Sequence, residues 1–259
     1  MDPENPLSYL PQSTKEKLLN PTAKNIGDAL GEVSKFLLWP VTIGTTWANA
    51  HVEKFKRSII DNVNKIPVEN RDLSKASLAM KTIEDSKYQI NEDNLREMFA
   101  KLIAASIDKR NNYGLSPRFS NVLSQFSPED AEFLIQISAN NPDFDSIPTV
   151  IFIAMRNNAN GAEDGDHFIA PDRSTASWFQ NELSLNNLVS LGIINQSDDD
   201  YLTHYTCKSF YDSAEKSPEF LSWRNSHDFL NTRYKLTIEK GFIQFTAFGK
   251  KLIQIVIQN

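Results

Sequence analysis

The stretch from residue 91 to residue 138 constrains the fold most, because three consecutive helices can be recognised in it. Asn91 is the expected N-cap of the first helix, and Gly114 is the expected turn after it. Between them, apolar residues recur at i, i+3, i+4, i+7, i+8 and i+12, a spacing that predicts one broad core-facing stripe. The stripe consists of Leu95, Met98, Phe99, Leu102, Ile103 and Ile107.

Two further helices are predicted after this turn, and each begins with a Ser-Pro pair. The first, from Ser116-Pro117, has its apolar set at Phe119, Val122, Leu123 and Phe126. The second begins at Ser127, and Asp130 stands three positions later, which is the spacing of a capping box. Its predicted core side consists of Ala131, Leu134 and Ile135.

The first part of the chain is predicted to be a helical bundle over residues 20–124, after a flexible, proline-punctuated lead at residues 1–19. Trp39-Pro40 is expected to break or kink the first helix of this bundle, because proline removes a helical hydrogen bond and clashes with the preceding turn. A second helix is predicted from about residue 41 to residue 64.

Gly27 and Gly31 place small residues four apart on the first helix, which lets another helix approach closely. Packing inside the bundle is the favoured interpretation, and self-association through the same residues is the alternative. Trp39 and Trp47 are further candidates for contact with a partner. Because the second helix is amphipathic and carries basic residues, it also suits a membrane surface, although a solvated face is the favoured explanation of its charges.

The segments LREMFAKLIAASIDK and LSPRFSNVLSQFSPEDAEFL, joined by a short linker, resemble the Abi-alpha family of bacterial abortive infection proteins. NPTAKNIGDALGEV is similar to the family's opening helix, and NKIPVEN at residues 64–70 is similar to its Lys-Ile-Pro junction. The resemblance covers roughly residues 20–200 and depends on the order and spacing of these segments. It implies a role in phage exclusion and brings no catalytic residues with it.

The second part of the chain, residues 125–259, is predicted to be a winged-helix-like α+β domain. After the helix that starts at Ser127, the pattern indicates a strand over 147–156, a polar loop over 157–172 and a short helix over 184–191. A strand starting at Ile193, a hairpin turning at Lys240-Gly241 and a final helix over 247–257 complete the order. The expected fold class is therefore mainly α with a small β component.

An aromatic-rich insertion at about residues 206–232 interrupts the predicted wing. Phe210, Tyr211, Phe220 and Trp223 are its candidate interaction residues. Aromatic side chains this concentrated must be covered, either by their own domain or by a partner. The sequence leaves both possibilities open.

Charge argues against nucleic acid as the partner. Residues 1–125 carry 17 basic and 15 acidic side chains, whereas residues 126–259 carry 10 basic and 18 acidic ones. The expected recognition helix, residues 184–191, contains no Lys or Arg to anchor phosphate, and Asp198, Asp199 and Asp200 follow it. A protein-contact role is favoured for this domain, and a DNA-binding regulator is the weaker alternative.

No catalytic constellation is recognisable in the sequence. The single cysteine, Cys207, excludes an intrachain disulfide and multi-cysteine metal sites. His204 and Cys207 suggest a nucleophile pair without a third member, and the acidic residues 163–167 lack EF-hand spacing. We therefore predict no enzymatic activity, no metal, no cofactor and no small-molecule ligand.

The resulting prediction is a non-enzymatic phage-defence protein that acts through protein–protein contacts or self-association. The alternative is a peripheral membrane effector that uses the amphipathic N-terminal helices. Since the first residues lack the basic and apolar segments of a signal peptide, a cytoplasmic location is expected, at the inner membrane face in the alternative.

Overall fold

The computed structural model describes residues 26–42, 46–139, 141, 146–156, 162–169, 180–198, 201–227 and 234–258. The predicted fold class is confirmed, because most of the described residues are helical and the strands form one small antiparallel sheet. The chain divides into two compact units, residues 1–131 with 251–259 and residues 132–250. The predicted lead at residues 1–19 lies outside the described residues.

The first unit is built from helices joined by short connections. Two 3₁₀ turns, Val68–Asn70 and Lys109–Asn111, lie between them. The helices are α1 (Ile26–Thr42), α2 (Thr46–Asn64), α3 (Ala76–Asp85), α4 (Asp93–Ala105), α5 (Arg118–Leu123) and the start of α6 (Pro128–Ala139).

Helix α4 is the centre of the first unit, as its stripe predicts. All six stripe residues are buried, and α4 packs against α2, α3 and α5. The predicted cap is wrong by one residue. The helix starts at Asp93 because its first hydrogen bond runs from Arg96 N–H to the Glu92 carbonyl oxygen (2.8 Å), and Asn91 donates to the Glu92 side chain instead.

The capping box at the start of α6 is confirmed. The Asp130 N–H donates to Ser127 Oγ (3.2 Å), and the Ser127 N–H donates to Asp130 Oδ2 (2.8 Å). Two otherwise unpaired backbone donors at the helix start are thereby satisfied. The predicted turn at Gly114 is also present, with a φ of 86° that favours glycine.

A break at Pro40 is wrong, because α1 continues to Thr42, whereas the alternative of a kink there stays a prediction. Proline removes one hydrogen bond wherever it stands in a helix, but here the helix ends two residues later, so the loss is confined to the last turn. Lys35 Nζ lies 2.5 Å from Glu53, and Lys56 Nζ pairs with Glu32, so two ion pairs join α1 to α2.

The second unit is built around a four-stranded sheet of order β2-β1-β4-β3 in which all neighbours are antiparallel. Two helices lie in the chain between its third and fourth strands, within the segment predicted to be the aromatic-rich insertion. The elements are β1 (Ile147–Arg156), β2 (Ala162–Ile169), α7 (Glu182–Ser190), β3 (Ile194–Ser197), α8 (Tyr205–Ala214), α9 (Pro218–Ser226), β4 (Tyr234–Phe245) and the start of α10 (Ala247–Val256).

The hairpin predicted at Lys240-Gly241 is wrong, because β4 is one continuous strand that pairs with β1 from Tyr234 to Ile243. Gly241 lies opposite Thr149 in that ladder. A Cβ on Gly241 would stand 2.5 Å from the Ser197 carbonyl oxygen and 2.9 Å from Thr149 Oγ1. The glycine is thus required by close packing rather than by a turn.

The loop predicted over residues 157–172 is also wrong in part, because residues 162–169 form β2 and pair with β1. The winged-helix assignment stays a prediction. Helix α7 precedes β3, and β3 and β4 are neighbours, but the hairpin on which the assignment partly depended is a single strand.

Candidate functional site

The aromatic insertion packs on its own domain. Phe210, Tyr211 and Phe220 are buried, and Trp223 is half-buried against the same cluster. The cluster covers Val150 and Phe152 of β1. The sequence left open whether these aromatic side chains are covered by their own domain or by a partner. The structure shows that their own domain covers them, so they stabilise the fold.

Phe152 is the centre of this aromatic cluster. Its ring stacks on Phe168 with centroids 4.2 Å apart, meets Phe220 edge-on at 5.1 Å and lies 5.7 Å from Trp223. Edge-to-face and offset contacts at these distances are the favourable arrangements of aromatic pairs. The insertion is therefore anchored to β1 by specific ring contacts.

Cys207 is buried inside the aromatic cluster, whereas His204 is exposed at the start of α8. Reactive cysteines are partly exposed, whereas buried structural cysteines are inert. This placement gives no support to the suggested nucleophile pair. The backbone of residues 163–167 lies in β2, and the part of the chain that is described holds no group of three metal-ligating side chains.

The predicted small-residue face of α1 lies against α2 of the same chain. A Cβ on Gly27 would stand 3.4 Å from Val63 Cγ1, and one on Gly31 would stand 2.8 Å from Lys56 Cγ. The two glycines thus permit the close approach of α1 and α2, which is the favoured interpretation of this spacing. The side chains of Trp39 and Trp47 lie outside the described part of the structure, so their roles stay predictions.

Helix α7 has a mainly uncharged outer face, with one carboxylate, Glu182, that accepts a hydrogen bond from Asn186 (3.1 Å). Leu185 and Leu188 are buried, whereas Leu183 is 82% exposed and Asn186 and Ser190 are also exposed. These three exposed positions are i, i+3 and i+7 and therefore lie on one side of the helix. An exposed leucine between amide and hydroxyl groups suits contact with another protein surface.

The first unit contains a cavity of about 350 Å³ at the junction of α2, α4 and the turn Lys109–Asn111. Its walls carry three cations, Lys65, Lys101 and Arg110, and one anion, Asp108. We call this space the basic cavity. Its volume lies in the range of about 300–1,000 Å³ that is typical of small-molecule sites.

Lys101 is half-buried on α4, and its Nζ donates to the Ile257 carbonyl oxygen at 2.7 Å. Burial lowers the pKa of this ammonium group, and the nearby charge of Lys65 lowers it further, while Glu97 raises it. The ammonium group has three N–H donors, so the bond to Ile257 leaves two for a bound molecule.

Hydrogen bonds hold the other two cations in place. Lys65 Nζ donates to Asn62 Oδ1 (3.0 Å), and Asn62 donates to Glu97 Oε1 (2.8 Å). Arg110 donates through Nε and Nη2 to the buried carboxylate of Asp108, which raises the pKa of the guanidinium group. The pairing with Asp108 uses Nε and Nη2 of the guanidinium group, and Nη1 takes no part in it.

Sequence reasoning missed the basic cavity. One local signal was present, since Lys101 is the only charged residue between Phe99 and Ile107. A lone cation in an apolar helical segment either reaches solvent along its stem or lines a polar cavity. The contribution of Lys65 and Arg110 depends on the fold and has no local signal.

The structure thus defines a mainly helical protein with a second unit built on a small sheet. No helix in the described ranges is both long and apolar enough to cross a bilayer. The family model described as abortive infection alpha matches residues 48–256. The chain therefore belongs to the abortive infection alpha family, which confirms the resemblance from residue 48 onward and extends it past residue 200. The similarity of NPTAKNIGDALGEV to the family's opening helix lies before the matched residues and stays a prediction. Abortive infection is a bacterial defence against phage.

No curated protein matches the chain. A solved structure, described as an uncharacterized protein from the hydrocarbon-degrading marine bacterium Alcanivorax borkumensis SK2, is 19% identical with a TM-score of 0.33. That similarity covers 53% of this chain and 91% of the other.

Proposed function

We propose that this chain is a non-enzymatic abortive infection protein that acts in the cytoplasm by binding another protein through the outer face of α7. The observation that carries the proposal is the 82% exposure of Leu183 on an otherwise well-packed helix. An exposed leucine contributes no burial free energy to the isolated chain. It stabilises a complex when a partner protein covers its side chain.

The charges around α7 support a protein partner over DNA. The helix contains no Lys or Arg, and Glu182 is its first residue. Asp198, just after β3, is half-buried and accepts hydrogen bonds from Gln196. Phosphate contacts supply most of the affinity for DNA and require clustered cations, so this surface suits an uncharged protein surface better.

The packing of α1 and α2 gives the membrane alternative little support. Ile26, Leu30 and Val33 of α1 are buried, and so are Phe55 and Ile59 of α2. In the parts of these helices whose side chains are described, the apolar residues therefore cover one another. Insertion into a bilayer would require the first unit to open.

A plaque assay tests this proposal. The gene is deleted from its host and restored either as wild type or as Leu183→Glu, and phage plaques are counted. We expect more plaques after deletion, fewer after restoration and a loss of protection with Leu183→Glu. Val68→Glu is the matched control, because Val68 is 49% exposed at a distant position in the sequence, and it should protect like wild type.

Two results would overturn the proposal. Equal plaque counts with and without the gene would remove the defence role. Full protection by Leu183→Glu, at wild-type protein level and with a wild-type circular dichroism spectrum, would remove α7 as the contact surface.

A further inference from the structure

We propose that the basic cavity binds a phosphorylated small molecule whose phosphate group contacts Lys65, Lys101 and Arg110. Neither the family nor the sequence analysis assigns a ligand to this region. The proposal is independent of the α7 surface, because the cavity is built entirely from the first unit.

The charge balance of the cavity favours an anion. The charged residues that line the cavity are three cations and one carboxylate, Asp108, so the lining itself carries a net charge of +2. Glu97 acts on Lys101 and Glu69 acts on Arg110 from outside this lining. Burial is the main cause that lowers the pKa of Lys101, Glu97 opposes it, and the charge of Lys65 lowers it slightly further. A bound anion would attract both ammonium groups.

Each of the three cations is held by a hydrogen-bond partner. Asp108 holds the guanidinium of Arg110, the Ile257 carbonyl holds Lys101, and Asn62 holds Lys65. Each cation keeps at least one N–H outside these bonds. Phosphate accepts several charge-assisted hydrogen bonds at once, and Arg and Lys are its usual ligands in proteins.

The remaining wall suits an organic group rather than a bare ion. Ile66, Ala104 and Ala105 supply apolar surface beside the cations. A cavity of about 350 Å³ also falls in the size range of sites for organic ligands, which combine apolar walls with a few polar groups. We therefore expect an organic phosphate to bind more tightly than inorganic phosphate.

Isothermal titration calorimetry on the full chain tests this proposal with four probes: adenosine 5′-monophosphate, ribose 5-phosphate, inorganic phosphate and uncharged adenosine. At least one organic phosphate should bind, inorganic phosphate should bind more weakly, and adenosine should give no heat. Lys101→Met and Lys65→Met should each weaken binding about tenfold, as expected for the loss of one charge-assisted hydrogen bond.

Lys109→Gln is the matched control, since Lys109 is an exposed neighbour of the cavity that is not among its lining residues. It should bind like wild type. The proposal is overturned if no phosphate gives heat at millimolar concentration, or if Lys101→Met and Lys65→Met bind like wild type. It is also overturned if Lys109→Gln weakens binding as much as they do, because attraction would then be nonspecific.

Discussion

The hydroxyl of Tyr211 on α8 donates to the carbonyl oxygen of Gly241 in β4, at 2.6 Å. The hydroxyl oxygen of Tyr211 in turn accepts a hydrogen bond from the Leu202 N–H at 3.3 Å. One buried side chain of the insertion thus connects the segment before α8 to the sheet. This connection shows how the aromatic insertion is held, and it makes the role of the insertion testable.

Tyr211→Phe should destabilise the protein by about 1–3 kcal/mol, because it leaves the buried Gly241 carbonyl and the Leu202 N–H without this partner while the ring keeps its packing. Urea unfolding followed by tryptophan fluorescence measures the change. Tyr88→Phe is the control, since Tyr88 is 84% exposed, and its midpoint should stay at the wild-type value. A wild-type midpoint for Tyr211→Phe would show that the insertion is held by ring packing alone.

Gly241→Ala should destabilise the protein by about 1–3 kcal/mol, because the new methyl group would overlap the backbone of β3 and the side chain of Thr149. Gly27→Ala is its counterpart. There the Cβ fits at 3.4 Å from Val63, and alanine favours the helix by about 0.5–1 kcal/mol. The melting temperature should therefore fall for Gly241→Ala and rise for Gly27→Ala. A stable Gly241→Ala protein would contradict the close packing of β3, β4 and β1.

Local patterns in the sequence were sufficient to predict much of the helical first unit. The stripe from Leu95 to Ile107 and the capping box of Ser127 and Asp130 are short-range patterns, and each is present in the structure. Such patterns depend on residues within a few positions of one another, so a single sequence contains them in full.

The sheet was less predictable because its limits are set by distant partners. Gly241 resembles a turn residue, but pairing with Thr149, 92 positions away, makes it part of a strand. The acidic segment at residues 162–169 has weak strand propensity, and pairing with β1 overrides that preference. The basic cavity is nonlocal in the same way, since Lys65 and Lys101 meet only after α2 packs against α4.

Cys207 should be unreactive in the folded protein, because its side chain is 1% exposed and surrounded by aromatic rings. The reaction with 5,5′-dithiobis(2-nitrobenzoic acid) should be slow in buffer and complete in urea. Phe220→Ala, which removes a ring from the same cluster, should speed the reaction by opening the site. Fast labelling of the native wild type would contradict this burial and would restore His204 and Cys207 as a candidate nucleophile pair.

Lys101 should make stability depend on pH in the alkaline range. Its pKa is lowered in the folded chain, chiefly by burial, so the folded state releases this proton at a lower pH than the unfolded state, where lysine titrates near about 10.4. At pH 7 both states carry the charge, and the folded state bears the cost of burying it. Between the two pKa values the unfolded state holds more protons, so this group makes the protein more stable as pH rises.

Lys101→Met removes this contribution while keeping the length of the side chain. The free energy of unfolding of both proteins is measured with urea from pH 7 to pH 10.5. The difference in favour of the variant should be largest at pH 7 and should decrease as pH rises. Comparing the two proteins cancels the other lysines and the tyrosines, which titrate in the same range. The charged groups around Lys101 are Lys65, Glu97, Asp108 and Arg110, and none of them changes in the variant. A difference that stays constant over this range would contradict the lowered pKa of Lys101 in the folded chain.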